Sequence, residues 1–365
     1  DVAENICHLV LARLPGAKPG PKGISLFLVP KFIPNDDGSL GARNDLRCVS
    51  LEHKLGIHGS PTAVMEFSGA TGWLVGEEHN GMACMFTMMN NARLGVGMQG
   101  VGVAEGAYQH ALAYAMDRKQ GRSPIADGTG TIIDHADVRR MLAQMKADIF
   151  AARSIGVACA IAIDMAKATG DADWQARAAF LTPIAKSFGS DTGVAVADLG
   201  VQIHGGMGFV EETAAAQYLR DARITPIYEG TNGIQSMDLV ARKMMDGGAA
   251  AFALMDDMAA LASASSSDLA KAVLAAIAQL RATTQWVVSQ ELNERFAGSV
   301  AYQKAFARVL GGYFHLVASM SGQSKRQRLA RFYINSLLLE TASLCAQAQA
   351  GAADLYALEL DDFAA

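Results

Sequence analysis

Near Gly81 the hydrophobic period of this chain changes, and that change limits the folds open to it. Before Gly81, short apolar runs are cut by Gly, Pro, Asn and Asp. Ile6–Leu14 and Ile24–Pro30 read as strands, separated by a loop carrying Pro15, Gly16, Pro19, Gly20, Pro21 and Gly23. Thr62–Phe67 alternates as a third strand. A small antiparallel sheet or barrel is expected there, not alternating β-α units. After Gly81, apolar residues recur at helical spacing to the C-terminus. Asp134 stands where a cap belongs for a helix through Val138, Met141, Leu142, Met145 and Ile149. Asp173 can begin another, running towards Val201, and Thr231–Met245 reads as a shorter one. Gly247 and Gly248 break the pattern, and Ala-rich helices are expected around 268–290, 301–320 and 324–348. The expected fold class is α+β, mostly α. It comprises a β-domain over 1–80, a helical domain over 81–246 and a further helical region over 247–365.

Composition narrows the function classes. The 365 residues are 51% hydrophobic and 18% charged, with a formal net charge of -5. That balance gives no reason to expect nucleic acid or an anionic membrane as partner. The richest apolar stretch, Ile155–Met165, carries Asp164 and falls short of the ~20 residues of a membrane span. Five cysteines, an odd number with none at zinc-ligand spacing, suggest reduced thiols and a cytoplasmic protein. The chain begins at Asp1 and not Met, so an upstream portion is expected to be missing, and no charged segment leading into an apolar one marks a secretory signal.

Familiar catalytic signatures are not present: no HExxH, no P-loop, no GxSxG. Gly95-Val96-Gly97-Met98-Gln99-Gly100 matches GxGxxG, but it lies in a helical pattern and follows no strand. Small residues that let two helices approach closely account for it better. The informative segments are Gln202-Ile203-His204-Gly205-Gly206-Met207-Gly208 and Tyr218-Leu219-Arg220-Asp221-Ala222-Arg223-Ile224, followed by Tyr228-Glu229-Gly230-Thr231-Asn232-Gly233. Upstream stand Lys54-Leu55-Gly56-Ile57-His58-Gly59-Ser60 and Tyr114-Ala115-Met116-Asp117-Arg118.

In that order and spacing these segments resemble the acyl-CoA dehydrogenase family over about residues 1–246. The stretch 247–365 resembles the extension of its larger members, including the 3-methylmercaptopropionyl-CoA dehydrogenase group. The resemblance implies a four-helix-bundle dehydrogenase domain over 81–246 and FAD as cofactor. The reaction it implies is α,β-dehydrogenation of an acyl-CoA to a trans-2-enoyl-CoA. Glu229 is then the base for the α-proton, and hydride passes to flavin N5. Read by itself, Glu229 at a helix start would be a capping carboxylate. Some relatives carry the base near Ala92, but Asn90, Asn91 and Ala92 include no acid.

The resemblance also places Arg118 on the FAD pyrophosphate of a neighbouring subunit and Gln202, Ile203, His204, Gly205 and Gly206 on its ADP side. Thr231, Asn232 and Gly233 fall on the flavin nucleotide, and Gly230, Arg93 and Asn90 on the acyl-CoA. Electron-transferring flavoprotein is the implied acceptor, and a homodimer or homotetramer the implied assembly. Family members carry upstream segments that complete the flavin pocket, so this chain by itself is expected to bind FAD poorly and to be inactive. A second reading is a DNA-associated alkylation-response relative, with Lys325, Arg326, Arg328 and Arg331 as its basic patch. A solvated helix face explains that cluster better, given the acidic balance.

Overall fold

The computed structural model describes residues 3–123 and 125–364, without the side chain of Asn90. The chain divides into two compact units, Asp1–Ala92 and Arg93–Ala365. The division falls inside the first long helix and not before it. Residues 247–365 share one hydrophobic core with the helices that precede them.

The first unit is the expected antiparallel β-structure. Strands β1 (Cys7–Arg13), β2 (Ile24–Pro30) and β7 (Trp73–Val75) form one sheet in the order β1-β2-β7. β3 (Phe32–Pro34) pairs with β4 (Leu40–Arg43), and β5 (Leu46–Leu51) with β6 (Ala63–Phe67). β3, β4 and β7 are three or four residues long, too short to show an alternation in sequence. Asn44 ties the loops together. Its Nδ2 donates to the carbonyls of Pro30 (2.9 Å) and Thr71 (2.8 Å), and its Oδ1 accepts from Thr71 N–H (2.8 Å).

The remainder is helical: α1 (Gly81–Asp117), α2 (Ala136–Thr169), α3 (Ala172–His204), α4 (Ala215–Ala222) and α5 (Asn232–Val240). Then come α6 (Ala249–Ser263), α7 (Asp268–Ser289), α8 (Leu292–Ser319), α9 (Ser324–Phe332), α10 (Glu340–Ala348) and α11 (Ala353–Ala357). One expected cap is corrected. α2 starts after His135, and Asp134 instead accepts from Gly130 N–H (2.8 Å) and Thr129 Oγ1 (3.1 Å), closing the preceding loop. α3 is capped by Asp171, which accepts from Asp173 N–H at 2.8 Å. The helix expected over 324–348 is broken by a π-helical turn at Tyr333–Leu337.

Gly95–Gly100 lies inside α1, where Gly97 and Gly100 press against α3. A Cβ on Gly97 would stand 2.5 Å from Ala185 O, and one on Gly189 would stand 2.4 Å from Gly97 O. Two backbones meet there, as the small-residue reading expected.

α2 corrects the estimate of apolar length. Its 34 residues include an 18-residue window with a mean hydropathy of 1.7, so by length and composition it could cross a membrane. Met145, Ala147, Ala151, Ile155, Cys159 and Ala162 nonetheless lie in the core. The five cysteines are free thiols, Cys159 and Cys345 buried and Cys7 exposed.

His315 joins α8 to α2 by donating from Nε2 to Ala147 O at 3.1 Å. Burial pushes its pKa down to about 4, despite that bond. An unfolded imidazole titrates near ~6.5. Between those values the unfolded chain binds more protons, so stability falls as pH falls through the window. The slope reaches at most about 1.4 kcal/mol per pH unit. Urea titrations of the chain and of His315→Gln at several pH values check this. The substitution should remove part of the acid loss, and an unchanged slope would contradict the assignment.

Candidate active site

The loop between α4 and α5 holds Glu229 in a conformation that side chains rarely adopt. Its φ is +56°, and Gly230 follows at +83°. Glycine tolerates such angles, whereas a glutamate does so at a cost of roughly 1–2 kcal/mol. Strain of this kind persists only where surrounding contacts over-determine it.

Those contacts are present. Gln235 Nε2 donates to Glu229 O at 3.2 Å, and Lys186 Nζ donates to Gly230 O at 2.9 Å. Two consecutive carbonyls are thus held, one from α5 and one from α3. Asn232 N–H closes the loop onto Pro226 O at 3.0 Å. The Asn232 side chain accepts from Lys186 Nζ (2.9 Å) and donates to Asp191 Oδ1 (2.7 Å). Tyr228 donates its hydroxyl to Gln99 of α1. Thr231, not Glu229, caps α5, accepting from Ile234 N–H at 3.3 Å. The Glu229 carboxylate is left out of capping, and its Oε2 is buried with no hydrogen-bond partner.

If strain at Glu229 serves function, relieving it should stabilise the fold. Glu229→Gly is expected to keep or raise the urea midpoint, by up to about 1 kcal/mol in stability. A clear loss of stability would show the carboxylate to be a structural group.

Lys186 is fully buried in α3. Burial lowers its pKa to about 8, while Asp191 and Glu229 pull it up and Arg93 pushes it down. A single lysine in the largely apolar run Leu181–Phe188 marks it in the sequence. Asp238 carries no such mark. It sits 3.5 Å from Arg93, both side chains buried, and also accepts from Arg242 Nε at 2.5 Å. Arg93 is therefore committed to an ion pair within the helices, and its Nε is buried without a hydrogen-bond partner. Asn90, expected beside it, has a side chain outside the described residues. The C-terminal region braces this site: Ser236 of α5 donates to Gln303 of α8 (2.6 Å), whose Nε2 donates to Pro183 O (2.9 Å).

Arg118, Ile203, His204, Gly205 and Gly206 come together elsewhere, around a cleft of about 610 Å³ that also takes in Tyr114 and His135. Gln202, one position earlier, is exposed at the end of α3. Gly205 ends that helix at φ +60°. A Cβ on Gly205 or Gly206 would meet nothing within 4 Å, whereas one on Gly208 would strike Val201 O at 2.2 Å. The pair thus presents bare backbone to open space, and Gly208 serves packing. His204 is buried, stacked on Tyr114 with ring centroids 4.3 Å apart. Its Nδ1 bonds Gly200 O at 2.7 Å, and its Nε2 has no partner. An exposed guanidinium, bare glycine backbone and an unpaired imidazole nitrogen suit the phosphates and sugar of a dinucleotide.

The family model for the C-terminal domain of acyl-CoA dehydrogenase matches residues 79–245, and that for an acetyl-CoA dehydrogenase-like C-terminal domain matches 251–359. The chain belongs to the acyl-CoA dehydrogenase family. The matched segments meet on either side of Gly247 and Gly248. A curated acyl-CoA dehydrogenase, the 3-methylmercaptopropionyl-CoA dehydrogenase of Ruegeria pomeroyi, is 43% identical, the match covering 95% of this chain and 62% of that protein. The chain thus spans less than two thirds of that relative's length. Two solved structures share the fold. Caenorhabditis elegans ACDH-11 in complex with C11-CoA has a TM-score of 0.76 at 24% identity, covering 90% of this chain and 56% of that one. Acyl-CoA dehydrogenase complexed with FAD from Bacillus anthracis has a TM-score of 0.73 at 22% identity, covering 98% and 62%. None of these supports the DNA-associated reading. Among the described residues no His, Cys, Asp and Glu group is arranged to hold a metal.

Proposed function

We propose that the full-length protein oxidises an acyl-CoA thioester between its α and β carbons, giving a trans-2-enoyl-CoA. Glu229 is the base. The observation that carries this reading is a carboxylate oxygen buried without a partner, on a left-handed backbone held by Lys186 and Gln235. An unpaired buried acceptor costs stability, so its retention points to a role outside the fold. A C–H α to a thioester carbonyl is weakly acidic, so its removal needs a fixed base out of water.

FAD, when bound, would supply the acceptor for the β-hydrogen, which leaves as hydride. Thr231, Asn232 and Gly233 would contact its nucleotide beside Glu229. Arg118 and the 202–206 segment would hold the ADP half of a second flavin, bound by a neighbouring copy. The Arg118 cleft and the Glu229 loop share no residue, which favours that two-copy arrangement, a homodimer or homotetramer. The same reading takes electron-transferring flavoprotein as acceptor and the cytoplasm as location.

The test is a screen of acyl-CoA chain lengths with a dye acceptor, together with flavin content after purification. Turnover of at least one thioester with bound flavin is expected. Arg118→Ala should lower flavin occupancy while leaving the unfolding midpoint near that of the parent. Full occupancy in Arg118→Ala would remove the cleft from the account, and full-length protein without turnover would overturn the reading.

A further inference from the structure

A further cavity, of about 680 Å³, lies between α1, α2, α8 and the start of α9, within the helical unit. It shares no residue with the Glu229 loop or the Arg118 cleft. Its floor is one face of α2, where Lys146, Phe150, Arg153, Val157 and Ile161 recur at three- to four-residue spacing. That face is about 22 Å long at the rise of an α-helix.

Charge and apolar surface are segregated along it. At one end Lys146 sits 4.8 Å over the Tyr108 ring, and Arg326 sits 4.9 Å over the Phe150 ring, with Lys325 beside it in sequence. Arg153 is bonded to Glu105 at 2.7 Å, the one carboxylate of the lining. Lys325 and Arg326 stand in the first turn of α9, where the helix dipole disfavours cations and which itself carries no acidic residue. At the other end Val157 and Ile161 are 47% and 52% exposed, on a helix whose opposite face is core. Lys146, Lys325 and Arg326 thus gather at one end of a mostly apolar trough whose carboxylate, Glu105, is bonded to Arg153 and also feels Lys146, in a chain of net charge -5.

A nucleotide would leave Val157 and Ile161 wet, and a neutral apolar ligand would desolvate cations without pairing them. We propose that this trough binds a single-chain anionic amphiphile, an alkyl chain ending in a carboxylate or phosphate. The head lies among Lys146, Lys325 and Arg326, and the chain lies along Val157 and Ile161. This inference does not depend on the proposed function.

Calorimetric titration of the chain with dodecanoate and with dodecyl phosphate, both below their micelle concentrations, tests it and distinguishes the two heads. Saturable binding of at least one is expected. Acetate, inorganic phosphate and dodecyltrimethylammonium should give none. The double substitution Lys146→Glu/Arg326→Glu should weaken binding about tenfold or more, and so should Val157→Asp. Ile161→Ser serves if either variant loses helical circular dichroism, and Glu229→Gln should bind as the parent does. The proposal is overturned if neither amphiphile binds, if the cationic one binds equally well, or if folded trough variants bind like the parent. It is also overturned if Val157→Asp dissociates an oligomer while dodecanoate binding is unchanged, since the face is then an interface between copies.

Discussion

Glu229→Gln in the full-length protein is expected to lower kcat by about 10²- to 10⁴-fold, the range a positioned general base supplies. KM should change little, because the amide keeps the shape of the carboxylate and removes only its charge and basicity. Stopped-flow measurement of flavin reduction separates this from slow product release. The reductive step itself should slow by the same factor. An unchanged reductive step with a normal KM would mean that another group takes the proton. With Asn90, Asn91 and Ala92 at the alternative position, the motifs offer no second acid there.

A large effect on stability is expected away from that loop. Arg308 of α8 is bonded to the buried Asp148 of α2 and, at 2.8 Å, to Glu340 of α10. Its guanidinium also faces the rings of Phe188 (5.5 Å) and Tyr333 (6.0 Å). Burial pushes the Asp148 carboxyl up, and Arg308 opposes that push. Arg308→Leu strips a buried carboxylate of its partner and should cost about 3–5 kcal/mol. That is a large share of the roughly 5–15 kcal/mol that holds a typical domain together. Urea denaturation measures it. Adding Asp148→Asn should recover part of the loss, because the buried charge is then gone. A loss under about 1 kcal/mol in Arg308→Leu would show that the Arg308–Asp148 pair does little to hold α8 to α2.

The change of period at Gly81 was legible because it reflects how each region buries its apolar residues, alternately in strands and on stripes in helices. Glu229 stands out as a candidate through the segments around it, not through its own setting, which reads as a helix cap. The structure gives that cap to Thr231, two residues on. What sequence could not show is tertiary. Lys186 lies 44 positions from Gly230, and the bond between them exists only once α3 packs behind the loop. Arg93 and Asp238 are similarly remote in sequence, and each alone reads as a solvated charge. Asp134 satisfied the cap pattern, yet its carboxylate found nearer donors in Gly130 and Thr129. The left-handed backbone at Glu229 left no trace in residue type, since glycine is what such an angle ordinarily selects.

The most direct test of the account is exchange at the substrate's α-carbon. Full-length protein is incubated with a saturated acyl-CoA in D2O without an electron acceptor, and the thioester is examined by mass spectrometry. If Glu229 removes the α-proton, deuterium enters that position in the parent, and Glu229→Gln incorporates none above the uncatalysed rate. Deuterium entering equally fast in Glu229→Gln would contradict the assignment of the base.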